Sequence, residues 1–362
     1  MKMPIKILAV LVSYSALAEP AGAREIYDFY SGIRQQAMGG AYTAVVNDET
    51  SLLTNPAGLG KLRDVIVTIA NPSVQGSASD GQIINLGNVT SAPTQTPSQL
   101  LALLNQHPDL HYNALAQIFP SVVAPNVGFG VLGKYQYDAQ VNSATQDFRL
   151  DYTNDYAAVL GFCLRFFGGV LKVGFDTRFV DRTEIHKDFP STNPVIDMNS
   201  NASEGGGLGA DTGIVLAIPV AGIPTFAAVV RDVGGTSYGL TNGMFLQTRS
   251  RPVLTPQTID AGFAVFPIVA NHVRLSLTAD YKDCLNANQD SDVMKHVHVG
   301  GEANFTDFFF LRGGMNQGYW TGGIELSTER FQLQVTSFGE EIGTQAAPIE
   351  DRRFIAEFGI RF

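Results

Sequence analysis

Residues 127–141 alternate almost without error. Val127, Phe129, Val131, Tyr135, Tyr137, Ala139 and Val141 share one face, and Lys134, Gln136, Asp138 and Gln140 share the other. A period of two means a strand, because successive side chains leave opposite faces of the pleat. This run of fifteen residues far exceeds the usual strand of about five or six. The pattern returns at the end of the chain, with Phe354, Ala356, Phe358, Ile360 and Phe362 facing one way and Arg353, Glu357 and Arg361 the other. A wall of such strands, apolar outward and charged inward, is what a membrane-spanning barrel requires; a soluble sandwich needs the reverse. The expected fold is therefore all-β: a transmembrane antiparallel up-and-down β-barrel.

Alternation predicts strands over 127–141, 156–166, 170–182, 207–218, 225–232, 258–266, 272–282, 296–305, 308–315, 319–327, 330–338 and 352–362. Weaker ones fall at 61–71 and 112–123, the second interrupted by Pro120. Fourteen strands is the preferred count and twelve the alternative. The connections carry independent weight. Thr328–Glu329, Thr306–Asp307, Pro267–Asn271, Pro219–Pro224 and Phe167–Gly169 are short. They alternate with Gly339–Asp351, Asn316–Gly318, Asp283–Lys295, Val233–Gln257, Thr183–Gly206 and Asn142–Asp155, of which only Asn316–Gly318 is short. Tight turns at one rim and longer polar loops at the other suit a barrel and not a Greek-key sandwich. The uncharged stretch Gly213–Val230 could be taken for a spanning helix, but Pro219, Gly222 and Pro224 break its centre and both halves alternate. Two strands and a turn explain it better. In the insertion between the two weak strands, a helix starting at Thr96 or Ser98 would carry Leu100, Leu101, Leu103 and Leu104 on its apolar side.

The first residues read as a secretory signal: Lys2 and Lys6, an apolar run from Ile7 to Leu17, then small residues with a cleavage site after Ala23 (Ala18 is the alternative). The apolar run is shorter than the ~20 residues of a spanning helix. The chain thus divides into a signal peptide at 1–23, a non-alternating segment at 24–60 and a barrel at 61–362. Removing Lys2, Lys6 and Glu19 leaves 22 basic against 33 acidic residues, a net charge of −11, which argues against nucleic acid as a partner. With only Cys163 and Cys284 there is no disulfide framework, and their positions argue against a pair.

Residues 34–60 read RQQAMGGAYTAVVNDETSLLTNPAGLG. Gly39-Gly40 followed by small residues allows a tight bend and close packing, and Asn55-Pro56 sets a turn. On these residues alone the segment is a compact plug or collar. A phosphate-cradling loop is the alternative, but no Lys-Ser/Thr follows the glycines. Met38-Gly39-Gly40-Ala41, Asn47-Asp48 and Asn55-Pro56-Ala57-Gly58-Leu59 resemble the N-terminal hatch of long-chain fatty-acid outer-membrane transporters (the FadL-like superfamily), and more closely its PorV/PorQ-like relatives. Ala279-Asp280-Tyr281, Gly300-Gly301-Glu302 and Leu311-Arg312-Gly313-Gly314 are similar to a late run in the same relatives. The resemblance implies a fourteen-stranded barrel in the outer membrane of a Gram-negative bacterium, closed by its hatch. It also implies inward transport of hydrophobic small molecules such as long-chain fatty acids or, as the alternative, a carrier or scaffold role beside secretion-system proteins.

By alternation Lys134, Asp138, Arg165, Lys172, Asp176, Arg178, Arg182, Asp211, Arg231, Asp260, Arg274, Asp280, Lys282, Glu302, Arg312, Glu325, Glu357 and Arg361 point inward. Such charges either pair with one another or form a polar conduit. Arg178 and Arg312 are the candidates for a ligand carboxylate, whose geometry suits a guanidinium fork. Gly39, Gly40, Asn55 and Pro56 are the candidate hatch residues. His296, His298 and Glu302 share a face at a spacing that could bind a metal, yet no further ligand is identifiable. No nucleophile stands beside a base. The expectation is a non-enzyme without cofactor, with outer-membrane lipids and a hydrophobic ligand as partners.

Overall fold

The structure, a computed structural model, describes residues 28–77, 104–105, 111–142, 145, 147–192, 196–270, 273–290 and 292–362. The signal at 1–23 with its cut after Ala23, and the helix expected from Thr96 or Ser98, lie outside the described residues apart from Leu104.

One antiparallel sheet closes on itself. Its segments are β1 (Ile66–Ala70), β2 (Ser73–Ser77), β3 (His111–Ile118), β4 (Ser121–Ala124), β5 (Val127–Val141), β6 (Asp147–Phe166), β7 (Leu171–Pro190), β8 (Ser203–Ala217) and β9 (Thr225–Arg231). There follow β10 (Thr258–Val265), β11 (Ile268–Ala270), β12 (Val273–Tyr281), β13 (Val297–Phe305), β14 (Phe309–Asn316), β15 (Tyr319–Ser327), β16 (Phe331–Glu341) and β17 (Glu350–Arg361). Three wall strands are each broken once, β1 from β2 at Asn71-Pro72, β3 from β4 at Phe119-Pro120 and β10 from β11 at Phe266-Pro267. Proline offers no N–H to a ladder, so each break falls where the sequence stops supplying one. Two of the breaks support each other: Asn71 Oδ1 accepts the Phe119 N–H at 2.7 Å. Counting each broken pair once gives fourteen strands. Closure runs through β17, which pairs with β2 from Arg353↔Ser77 to Glu357↔Ser73 and with β1 at Thr68↔Arg361. The backbone of Phe362 exchanges both hydrogen bonds with Val67 at 2.8 Å.

The inside-out pattern holds. Phe129, Phe175 and Phe358 stand on the outer face, 44–49% exposed, and Lys134, Asp176, Arg178, Asp211, Glu302 and Arg312 are buried within. No helix among the described residues is long and apolar enough to cross a membrane. Both halves of Gly213–Val230 are strands, in β8 and β9.

Several strands begin earlier or run further than alternation predicted, β8 from Ser203 and β17 from Glu350 among them. β6 begins at Asp147 and β7 runs to Pro190, so the loops expected at 142–155 and 183–206 shrink to 142–146 and 191–202. Phe148, Leu150 and Tyr152 alternate with Asp147, Arg149, Asp151 and Thr153, and they pair with Val141, Ala139 and Tyr137; the period was present, and Asn154 on the apolar face is what separated it from the run at 156–166. β16 likewise extends to Glu341. The first strand differs too: Lys61 closes a 3-10 turn and pairing starts at Ile66, resuming after Pro72 as far as Ser77.

Candidate functional site

The chain from Asp28 to Leu62 lies against the inner wall. Its elements are short because its glycines and Asn-Pro prevent longer ones: α1 (Ile33–Ala37), a bend at Gly39-Gly40, α2 (Ser51–Thr54) and a 3-10 turn at Pro56–Lys61. Gly39 and Gly40 have φ of +66° and +79°, the region that side chains disfavour. Met38, Ala41, Asn55, Ala57 and Leu59 have no solvent exposure.

Glycines in the wall make this approach possible. A Cβ on Gly300 would stand 2.0 Å from the Met38 carbonyl oxygen, one on Gly174 2.1 Å from the Ala57 nitrogen, and one on Gly213 1.9 Å from Asn55 Oδ1. Each of these three glycines is therefore a notch for a particular part of the inner segment.

Polar clips join segment to wall. Asp280 accepts hydrogen bonds from both the Tyr42 and Thr43 N–H groups at 2.7 Å. Asn55 holds its own turn, accepting from Ala57 N at 3.1 Å and donating from Nδ2 to the Thr43 carbonyl at 3.0 Å. Lys282 pairs with Asp28 at 2.8 Å. Burial pushes the Asp28 carboxyl up, but Lys282 and Arg231 outweigh it and hold it below its usual range. Arg34 reaches Glu302 with two bonds of 2.8 Å and also binds Asp48 at 2.9 Å. Glu302 in turn accepts from Arg312 at 2.7 Å, and Arg312 continues to Gln334 and Glu325. The result is a buried chain of alternating charge running from α1 across β13, β14 and β15.

The six expected site residues thus fall in two groups. Gly39, Gly40, Asn55 and Pro56 sit at the contact between segment and wall. Arg178 and Arg312 are engaged by the protein itself: Arg178 binds Asp211 at 2.7 Å and Asp232 at 2.6 Å and lies over the Phe29 ring. Of the two readings left open for interior charge, mutual pairing describes these arginines. His296 is not on a strand but in a 3-10 turn, with Nδ1 on the Lys282 carbonyl at 2.8 Å, while His298 Nδ1 meets the Gly39 carbonyl at 2.9 Å. Among the described residues no three His, Cys, Asp or Glu side chains gather as a metal site. Cys163 is buried against the inner segment and Cys284 exposed, and both are free. Arg34 and Asp28 were missed from sequence because they lie in the segment without a period; the glycines interrupting wall strands at 174, 213 and 300 were the available signal.

Glu49 lies outside this pairing. It is buried, and its Oε2 has no hydrogen-bond partner. Burial, and then the neighbouring Asp48, push its carboxyl up to about 7.

These features define a class: a closed fourteen-stranded barrel of the transmembrane type, with an N-terminal segment packed inside it. No family model matches the sequence, and no curated protein matches it. Among solved structures the chain is similar to CymD, a monoaromatic hydrocarbon channel, with a TM-score of 0.56 and 9% identity over 91% of this chain and 96% of that one. It is also similar to the toluene transporter TbuX of Ralstonia pickettii, with a TM-score of 0.52 and 10% identity over 92% and 98%. A mutant of TodX, a further monoaromatic hydrocarbon channel, gives 0.55 and 10% over 91% and 98%. At this level of identity the likeness is one of fold.

Proposed function

We propose that this protein is an outer-membrane channel of a Gram-negative bacterium for hydrophobic or amphipathic small molecules, with residues 24–60 as its hatch. The observation that carries this reading is the fit of hatch to wall: glycine notches at 174, 213 and 300 receive Ala57, Asn55 and Met38. Such a fit holds a closed state by packing and polar clips, with no covalent bond to break on opening. The fold shared with CymD, TbuX and TodX supports a hydrophobic cargo. Long-chain fatty acids and monoaromatic hydrocarbons are both candidates. Transport, and not catalysis, is the role.

In this reading Asn55, Pro56, Gly39 and Gly40 are the moving contacts, and Arg178 and Arg312 are struts that keep the wall rigid while the hatch shifts. The test is uptake. Cells lacking the gene should take up toluene or oleate more slowly, and restoring the gene should restore the rate. Unchanged uptake of both classes would remove the proposal. The PorV-like carrier role needs a lasting partner, so co-purification with a secretion complex would replace transport as the reading.

A further inference from the structure

β8 is only half covered on one side. β9 pairs with it from Thr212 to Ala217, and residues 203–211 continue beyond with β7 alone as their strand neighbour. The loop 232–257 runs along this open edge. Val233 N donates to the Ala210 carbonyl at 2.8 Å, Leu240 N to the Gly206 carbonyl at 2.9 Å, and Glu204 N to the Ser250 carbonyl at 3.3 Å. Part of the loop lies inside the wall, where Tyr238 is buried under Arg182. The following part crosses to the outer face, where Phe245 packs on Tyr156 with ring centroids 5.1 Å apart.

Two carboxylates stand on that outer face, Asp181 of β7 and Glu204 of β8, and both are buried. The loop covers them with backbone. Phe245 N and Leu246 N donate to Glu204 at 2.7 and 2.6 Å, Gln247 N donates to the same group, and Met244 N reaches Asp181 at 3.3 Å. Gly243, at φ +91°, allows this, since a Cβ there would stand 2.3 Å from the Glu204 carboxyl carbon. The loop thereby masks two charges on an outward surface and replaces them with apolar side chains. Phe245 is 60% exposed, Met244 54% and Leu208, on β8, 59%. Along β6 from Tyr156, alternate residues Ala158, Leu160 and Phe162 are likewise apolar and exposed. Arg249, exposed, follows directly.

We propose that the outer surface of the loop, centred on Met244 and Phe245, beds in the lipid leaflet at the long-loop rim, with Arg249 toward anionic headgroups. Continuity with the lipid-facing band selects lipid as the occupant, and an apolar cluster flanked by a basic residue suits the interface of an anionic leaflet. The loop then seals the upper edge of β8 from inside with Tyr238 and from outside with the membrane.

The chain has one tryptophan, Trp320, so a single reporter is within reach. On a Trp320→Phe background, Phe245→Trp would be reconstituted as the full mature chain in phosphatidylcholine–phosphatidylglycerol vesicles carrying lipids brominated near the headgroup or near the chain end. Phe358→Trp in the wall and Leu285→Trp in an exposed loop give the deep and aqueous references. Quenching of Phe245→Trp should exceed that of Leu285→Trp by roughly two-fold or more and be stronger with bromine near the headgroup. Quenching equal to Leu285→Trp would overturn the proposal. So would quenching that depends on protein-to-lipid ratio instead of lipid bromination, which would assign the patch to a second copy. If Phe245→Trp loses its heat-modifiable band, Met244→Trp carries the same test.

Discussion

Gly174→Ala is the smallest change that separates hatch from wall. The added methyl would sit 2.1 Å from Ala57 N and 2.2 Å from the Pro56 carbonyl carbon. Reaching an ordinary contact of about 3.4 Å requires a shift of roughly 1.3 Å. The obstructing atoms are backbone, so no side chain can rotate away. The shift strains or breaks the Asn55 bonds to Ala57 N and the Thr43 carbonyl, each worth about 0.5–1.5 kcal/mol. Overpacking adds about 1–3 kcal/mol. Docking of the hatch should therefore weaken by roughly 2–6 kcal/mol, which at 1.4 kcal/mol per decade is about 30- to 20,000-fold in the ratio of docked to undocked forms. Gly174 itself lies in β7, and its ladder to Cys163 and Gly213 is untouched, so the barrel should stay folded. The assay is solute permeability of vesicles holding the purified protein, with heat-modifiability on gels as the folding check. Gly133→Ala is the control, because its Cβ would meet nothing nearer than 3.6 Å. Permeability of Gly174→Ala should rise while Gly133→Ala matches wild type. If a folded Gly174→Ala barrel were as tight as its parent, the notch argument would be wrong.

Arg34→Ala leaves Glu302 with Arg312 alone and removes a buried ion pair, which should cost about 3 kcal/mol; hydrogen exchange of residues 33–48 should speed up while β13 remains protected. Glu49 makes docking pH-dependent. Its carboxyl is raised from 4.5 to about 7 when docked, so docking is favoured fully below the free value and loses that contribution as pH rises through about 7. Permeability should increase from pH 5 to pH 8, and Glu49→Gln should flatten that limb; a profile unchanged by the substitution would discard the assignment. Asn55→Leu should raise permeability with the heat-modifiable band retained. Loss of the band would make Asn55 a folding residue instead. Arg178→Gln strands Asp211 and Asp232 and should lower thermal stability without a selective loss of carboxylate-bearing ligands. A selective loss at unchanged stability would restore Arg178 to the binding site.

What could be read from the chain follows from which forces act locally. The wall was legible because each strand meets lipid on one side and the filled interior on the other, and that asymmetry is written with a period of two. It runs on through residues 147–153, where Phe148, Leu150 and Tyr152 keep the beat, and is interrupted only by Asn154 on the apolar face before Tyr156 resumes it. The hatch has no period, since its neighbours change from β13 and β14 near Met38 to β7 and β8 near Asn55. Only its glycines and Asn-Pro showed that it bends tightly and packs closely.

Pairing of interior charge was beyond alternation for a different reason. Facing inward is a property of one strand, whereas the Arg34–Glu302–Arg312–Glu325 chain joins α1 to three strands across the barrel. A guanidinium inside the wall is therefore ambiguous in sequence: it looks the same whether it waits for a ligand or has already been satisfied. The wall glycines share part of that ambiguity. A glycine in a strand interior often marks a close approach, and at 174, 213 and 300 what approaches is backbone or Asn55 of one inner segment, yet a Cβ at Gly133 or Gly313 in the same wall would meet nothing nearer than 3.6 Å. Which glycines receive Met38, Asn55 and Ala57 depends, like the arginine pairing, on what the barrel brings opposite them.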